Sequence, residues 1–407
     1  MVRLDAFGRI RFMSVILLFI LLCVFIVQNL PQSENDIQST KSLVVADEKL
    51  MKPIEIEENI EKGKKSTKLT ASEKLLKPIK IDKKIEKGKK CFQTPKDFHV
   101  DDIEFFADIL NAEIQPNPER SIFFHETSCF KNEMINMTAR QACAVESAAK
   151  LNPNRTIFIL FASPTGFTTN QSEMPITEAL KSYPNIHFRN VDFETYSAGT
   201  PVEDFHHSGK LFRSSYLVSH MSDYLRYLSL FRYGGLYFDL DVVVQQNLDE
   251  LPPNFSGVQD SAVVAVGAMG FQQNPIAHMI LELCLKDFAV NHRGYVWGSS
   301  GPAVLTRVLK KICREKSIQK MTPSKCWGFD VLPRKNLYAI HYSNWKHFFN
   351  KKLTNETLEQ TSKSPVVHLW NKLSIVERIK KSEKRTAYEV IAMKHCPKVF
   401  EASGTYF

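Results

Sequence analysis

The segment Ser222 to Asp241, S-D-Y-L-R-Y-L-S-L-F-R-Y-G-G-L-Y-F-D-L-D, constrains this chain more than any other stretch. Met221, Leu225, Leu228 and Phe231 recur at helical spacing, so the segment opens as a helix with an apolar stripe. Gly234 and Gly235 supply a tight passage out of that helix, since glycine tolerates backbone angles that other residues avoid. Leu236-Tyr237-Phe238 is apolar enough for a central strand. A helix that feeds directly into a buried strand commits the chain to layered α/β structure. Asp239 and Asp241 come next, and side chains two apart on an extended backbone share a face. The two carboxylates are therefore expected to converge on one hard divalent cation. Asp223 and Arg226, three apart, share a helix face off the centre of the stripe, which suits either solvent or a cleft. A metal site and a polar clamp on adjoining elements imply a grip on a phosphorylated ligand.

The rest of the chain supports the same fold class. Ser121–Glu126, Thr156–Phe161 and Asn185–Arg189 read as strands, and Ala139–Lys150 as a helix. A further strand is expected over Ser261–Gly267, a helix over Ile276–Val290 and another from Gly301-Pro302 to about Lys316. Short strands are expected near Phe329 and over Pro365–Trp370. Alternating strands and helices predict βαβ units and a mainly parallel sheet.

The N-terminus is different in kind. Arg3, Arg9 and Arg11 precede an apolar run from Phe12 to Val27, which Gln28, Asn29 and Leu30 extend to the length of a membrane span. No small-x-small cleavage pattern follows, which favours an uncleaved anchor over a removed signal peptide, and the basic flank predicts a cytoplasmic tail with a lumenal body. Residues 31–90 hold no aromatic residue and repeat E-K-L-x-K-P-I from Glu48 and again from Glu73, the signature of a solvated, disordered stem or of a basic strip against lipid headgroups. The predicted organisation is a tail over 1–11, an anchor over 12–30, a stem over 31–91 and a globular domain over 92–407. That domain divides into a donor side (about 118–270) and an acceptor side (about 271–407).

The net charge of +9 does not point to nucleic acid, because tail and stem carry +6 of it and only +3 remains after Cys91. Five Asn-x-Ser/Thr sequons, at Asn136, Asn154, Asn170, Asn254 and Asn355, fit a lumenal domain. Seven of the eight cysteines lie beyond the anchor, so one is left over. Short loops suggest pairing Cys313 with Cys326 and Cys129 with Cys143.

Three further features carry chemistry. His368, at the end of an apolar run, reads as a core or edge residue or as a third, imidazole ligand suited to Mn²⁺. Trp297-Gly-Ser-Ser-Gly-Pro302 opens a helix, and Trp297, Ser299 and Ser300 are candidates for contact with phosphate or sugar. Phe238-Asp239-Leu240-Asp241-Val242 also matches the haloacid-dehalogenase phosphatase pattern, in which the first Asp is a nucleophile.

The pattern S-D-x-x-R-Y-x-x-L-x-x-x-G-G-x-Y-x-D-x-D resembles the sugar-nucleotide signature of glycosyltransferase family 32, above all its α1,4-linking members. Phe123–Ser128, Cys143–Ala149, Gly301–Val308 and His368–Lys372 extend the resemblance over about residues 121–400. It implies a single Rossmann-like domain of the GT-A type, Golgi anchorage, Mn²⁺ dependence and retention of the donor's anomeric configuration. It also implies UDP-Gal or UDP-GalNAc as donor and a glycolipid, or less readily a glycoprotein, as acceptor. By position, Asp239 would touch ribose and metal, Asp241 and His368 the metal, Asp223 and Arg226 the donor sugar, and Tyr237 the nucleotide. No nucleophile is assigned. Relatives carry amides where this chain has Val266 and Ser300, so a second reading is a Golgi relative that associates with and regulates another transferase.

Overall fold

The computed structural model describes residues 83–92, 102–129, 133–169 and 174–407. The expected anchor, most of the stem and Asn170 lie outside the described residues. Among those described, no helix is long and apolar enough to cross a membrane.

Eleven strands are described: β1 (Ile103–Phe105), β2 (Ser121–Glu126), β3 (Thr156–Phe161), β4 (Gly166–Thr168), β5 (Ile186–Asn190), β6 (Gly235–Phe238), β7 (Val242–Val244), β8 (Phe255–Val258), β9 (Val264–Phe271), β10 (Asp330–Leu332) and β11 (Val366–His368). Seven build the central sheet in the order β10-β8-β9-β6-β2-β3-β5. β9 runs antiparallel to both neighbours and the other pairings are parallel. The mainly parallel sheet is thus as expected.

Strand alternation sorts side chains between two helical layers. Ile122 and Phe124 of β2 join the core beneath the helix Ala139–Leu151, whereas Phe123 joins the core beneath Leu217–Tyr233, Pro275–Asn291 and Pro302–Ile312. β6 obeys the same rule, with Leu236 and Phe238 on the first side and Tyr237 on the second. A sheet covered on both faces needs near-continuous apolar strands, and S-I-F-F-H-E, T-I-F-I-L-F and G-L-Y-F meet that need.

The chain runs β2, β3, β5 outward and then returns to place β6 on the opposite side of β2. This reversal opens a crevice beyond the carboxyl ends of β2 and β6, where ligands bind in open α/β sheets. Gly234 and Gly235, at φ +64° and +90°, make the passage into β6, and a Cβ on Gly235 would stand 2.6 Å from the Ser121 carbonyl oxygen.

Three expectations need correction. The stem does not extend to residue 91: Lys83–Lys89 is helical, Gly88 lies against Phe212, and Phe92 is buried. The second repeat copy therefore supplies an apolar anchor, Ile85, that its composition concealed. Cys129 pairs with Cys91, not with Cys143, and Cys143 pairs with Cys396 across 253 residues. Short-loop reasoning failed because Cys143 points from its helix into the core, where the C-terminal helices Ala387–His395 and Pro397–Ala402 pack. Cys313–Cys326 forms as expected, and Cys284 is free and buried. The Ser261–Gly267 strand instead spans Val264–Phe271, because Gly270 pairs with Leu236 and lies against the Phe255 ring.

Replacing Cys143 and Cys396 together by alanine is expected to lower unfolding free energy by roughly 2–5 kcal/mol, since the bridge restrains a very long loop. Urea titration followed by tryptophan fluorescence reads this, and an unchanged midpoint would contradict the structural role of the bridge.

Candidate active site

β6 ends at Phe238, and Asp239-Leu240-Asp241 is a turn rather than the extended run expected from sequence, with the Val242 amide donating to the Asp239 carbonyl at 2.9 Å. The carboxylates converge for a different reason. β7 leaves this turn and pairs antiparallel with β11, setting His368 opposite Val242. His368 Nε2 then lies 3.8 Å from Asp239 Oδ2 and 3.4 Å from Asp241 Oδ1, and ligand atoms of all three residues fall within 4.8 Å of one another. Ligands around an octahedral cation with ~2.1 Å bonds stand about 3 Å apart, so two carboxylate oxygens and an imidazole nitrogen at this spacing fit a divalent ion. Gly267 leaves the space: a Cβ there would lie 2.8 Å from Asp239 Oδ2 and 3.1 Å from His368 Nε2.

Each ligand is held from behind. The Asn371 amide donates to Asp241 Oδ2 at 2.6 Å, and the Trp370 amide donates to His368 Nδ1 at 3.1 Å. Tyr237 donates its hydroxyl to Asp239 Oδ1 at 2.6 Å, and Arg226 Nη1 reaches the same oxygen at 3.0 Å. Tyr237 is fully buried, so it stands behind the carboxylate, under the Arg226 guanidinium at 4.6 Å. Arg226 also donates to the Val266 carbonyl at 2.7 Å and pairs with Asp223 at 3.2 Å. Asp223 and Arg226 therefore face a cleft and not bulk solvent. Gly301 fixes Asp223, because a Cβ there would stand 2.2 Å from Asp223 Oδ1.

These contacts set the charges. Burial works against the charge on Asp239, yet Arg226, His368 and Tyr237 outweigh it and hold its pKa below the ordinary carboxylate value. Burial pushes Asp223 up to about 7, with Arg226 opposing. Burial likewise raises Asp241 against the pull of His368. Burial disfavours the His368 imidazolium, but Asp241 and Asp239 prevail and raise its pKa. Nε2 is the ring nitrogen that faces both carboxylates, so a proton held there competes with a cation for the same place. A cation must displace that proton.

The cleft encloses about 530 Å³, and its walls include Asp223, Arg226, Asp239, Asp241, Trp297 and His368. Sequence reasoning missed two of its residues. His125, at the end of β2, packs against Tyr237 at 4.8 Å, and burial with Arg226 lowers its pKa to about 3, so it is neutral. Lys372 carries its ammonium 5.8 Å from both the Tyr216 and Trp297 rings at the mouth. Both residues fall inside the stretches that carry the family resemblance, but neither has a spacing signal of its own. Ser299 and Ser300 turn away from the cleft: Ser299 Oγ donates to the Arg293 carbonyl at 3.0 Å and Ser300 Oγ bonds His292 Nδ1 at 2.8 Å. Asn136, Asn154 and Asn355 are exposed, whereas Asn254 is buried and accepts from the Gln272 amide at 2.9 Å, so that sequon is not displayed.

Comparison with known proteins bears on the same residues. Residues 274–403 match the family model described as alpha 1,4-glycosyltransferase conserved region, and 138–256 match the glycosyltransferase sugar-binding region containing DXD motif. Lactosylceramide 4-alpha-galactosyltransferase of Mus musculus is 31% identical over 70% of this chain and 77% of its own length. The chain belongs to the alpha-1,4-glycosyltransferase family. The Homo sapiens lactosylceramide 4-alpha-galactosyltransferase is 30% identical, covering 70% of this chain and 78% of that protein. Alpha-1,4-N-acetylglucosaminyltransferase of Homo sapiens is 26% identical over 69% and 80%. Among solved structures, PaToxG glycosyltransferase superposes with a TM-score of 0.33 at 16% identity, covering 72% of this chain and 90% of that one. As a family member this chain is a glycosyltransferase, which overturns the phosphatase reading of Asp239. Consistently, Asp239 Oδ1 is already engaged by Tyr237 and Arg226.

Two outcomes follow from the site. Affinity for a divalent cation should climb with pH through and above the ordinary histidine value near 6.5 and level off once Nε2 is bare, with proton release on binding. Calorimetric titration with Mn²⁺ in buffers of different ionisation enthalpy measures both, and a pH-independent affinity would count against His368 as a ligand. Gly301→Ala should lower unfolding free energy by about 1–3 kcal/mol through collision with Asp223. Gly298→Ala, with nothing within 4 Å of its added Cβ, should be neutral in the same urea titration.

Proposed function

We propose that this chain is a retaining transferase that moves Gal or GalNAc from its UDP derivative, in α1,4 linkage, to the terminal sugar of a glycosphingolipid. In this reading it acts in the Golgi lumen as a single-pass type II membrane protein, with Mn²⁺ as its ion. The observation that carries it is the convergence of Asp239, Asp241 and His368 beside the Asp223–Arg226 pair in one cleft. Relatives named for an α1,4-galactosyl- or α1,4-N-acetylglucosaminyl-transfer add support.

A divalent ion held by Asp239, Asp241 and His368 would neutralise the charge that develops on a departing diphosphate. The chain's own residues account for the rest. Arg226 keeps Asp239 ionised and aimed, and Asp223 offers a carboxylate with little else to bind, placed to accept from sugar hydroxyls. Lys372 adds an exposed positive charge where a diphosphate would enter.

The regulator reading keeps one specific support. Val266 lines the cleft and Ser300 is spent on His292, so neither position offers the amide that the family resemblance implies there.

A panel of UDP-sugars with glycolipid acceptors and mass-spectrometric detection separates the two. The enzyme reading expects Mn²⁺-dependent transfer, and Asp241→Asn should reduce it on the order of 1,000-fold while the fold is kept. Full activity of Asp241→Asn would refute the metal assignment. Absence of turnover with every donor, together with copurification of another transferase, would favour the regulator.

A further inference from the structure

The rim of the cleft carries a cluster of exposed apolar side chains. Large apolar side chains are usually scattered singly on a protein exterior, and a contiguous group marks a contact site. Here Tyr216, Tyr295, Val296, Leu373, Ile375 and Val376 are all exposed, with Tyr295 at 72%, Ile375 at 71% and Val376 at 78%. They come from three segments stitched into one crest. The Ser215 amide donates to the Gly294 carbonyl at 2.8 Å, and His220 Nε2 bonds the Val296 carbonyl at 3.1 Å. Lys372, next to Leu373, bridges Tyr216 and Trp297. Ile375 continues the turn, its amide donating to the Asn371 carbonyl at 3.0 Å.

Two properties of the crest identify what covers it. First, it borders the mouth, with Trp297 and Leu373 lining the cleft itself, so a permanent protein partner seated there would block substrate entry. Second, the apolar residues are interleaved with cations. Arg293, Lys372, Arg378 and Lys380 lie within the two segments 290–297 and 371–380, against the single acid Glu377, while Lys381 is turned onto the Phe400 carbonyl. Aliphatic and aromatic side chains among long basic ones match a lipid–water interface, where the apolar parts enter the acyl boundary and the cations reach anionic headgroups.

We infer that the crest formed by 290–297 and 371–376 docks on the lipid surface that bears the acceptor, so that the cleft meets a sugar headgroup at the end of its lipid anchor. This rests on the proposed transferase activity and adds the surface by which the enzyme meets its lipid-linked acceptor. A basis for the preference is geometric: a free saccharide can fill the cleft but leaves the crest in water, while a lipid-linked one covers both.

Two measurements on the full chain, solubilised in phospholipid–detergent micelles, test it. In the first, transfer is compared between a lipid-linked acceptor and the free oligosaccharide of the same headgroup. The double variant Ile375→Ser with Val376→Ser should lose at least 10-fold in kcat/KM toward the lipid-linked acceptor and keep its rate on the free one. Equal loss on both, or no loss on either, overturns the inference. In the second, a phospholipid bearing a diazirine on its acyl chain is photolysed with the wild-type chain, and labelled peptides are mapped by mass spectrometry. Label in 290–297 and 371–378 is expected. Absence of label there, or crosslinks between copies of the chain through these segments, overturns it by assigning the crest to another occupant. Because photolabelling needs no turnover, a chain inactive toward both acceptors would refute the transferase reading while the label still decides the docking surface.

Discussion

Arg226 is the interaction on which the site rests. A guanidinium that is almost wholly buried must use its donors, and this one bonds the Ser222 hydroxyl and the Val266 carbonyl while pairing with both Asp223 and Asp239. Without it, two carboxylates on neighbouring elements would share a low-dielectric space with only His368 and Tyr237 to offset them, which is a strongly unfavourable state. The aromatic ring of Tyr237 beneath the guanidinium and the hydroxyl that Tyr237 gives to Asp239 complete a closed circuit of helix, strand and turn. The electrostatics of the cleft and the local packing are therefore one structure.

Much of this was legible in the chain, for identifiable reasons. Buried parallel strands require unbroken apolar runs, so S-I-F-F-H-E and T-I-F-I-L-F declared themselves to the residue. Asp239 and Asp241 stood out because a glycine pair and an apolar run precede them. Their geometry was read wrongly, since no local signal distinguishes a strand continuing through Asp239 from a turn closed by the Val242 amide. The placement of Asp223 and Arg226 depends on what covers their helix face, and the covering residues, Gly301 and Val266, are distant in sequence.

Long-range facts were the least accessible. The Cys143–Cys396 bridge and the β7–β11 pairing join parts of the chain whose proximity only the completed core creates. His125 illustrates a subtler loss: an imidazole in an apolar strand gives no sign of whether it faces helices or a cleft, and here it does both. The helix over Lys83–Lys89 was hidden by a composition rich in lysine, in which Ile85 is the one large apolar residue.

The pairing of β7 with β11 has a consequence in time as well as space. Asp239 and Asp241 emerge from the ribosome more than a hundred residues ahead of His368, so for that interval the nascent chain carries an incomplete cradle. The three-residue cradle is thus complete only once the C-terminal part of the polypeptide has been made and β11 has paired with β7.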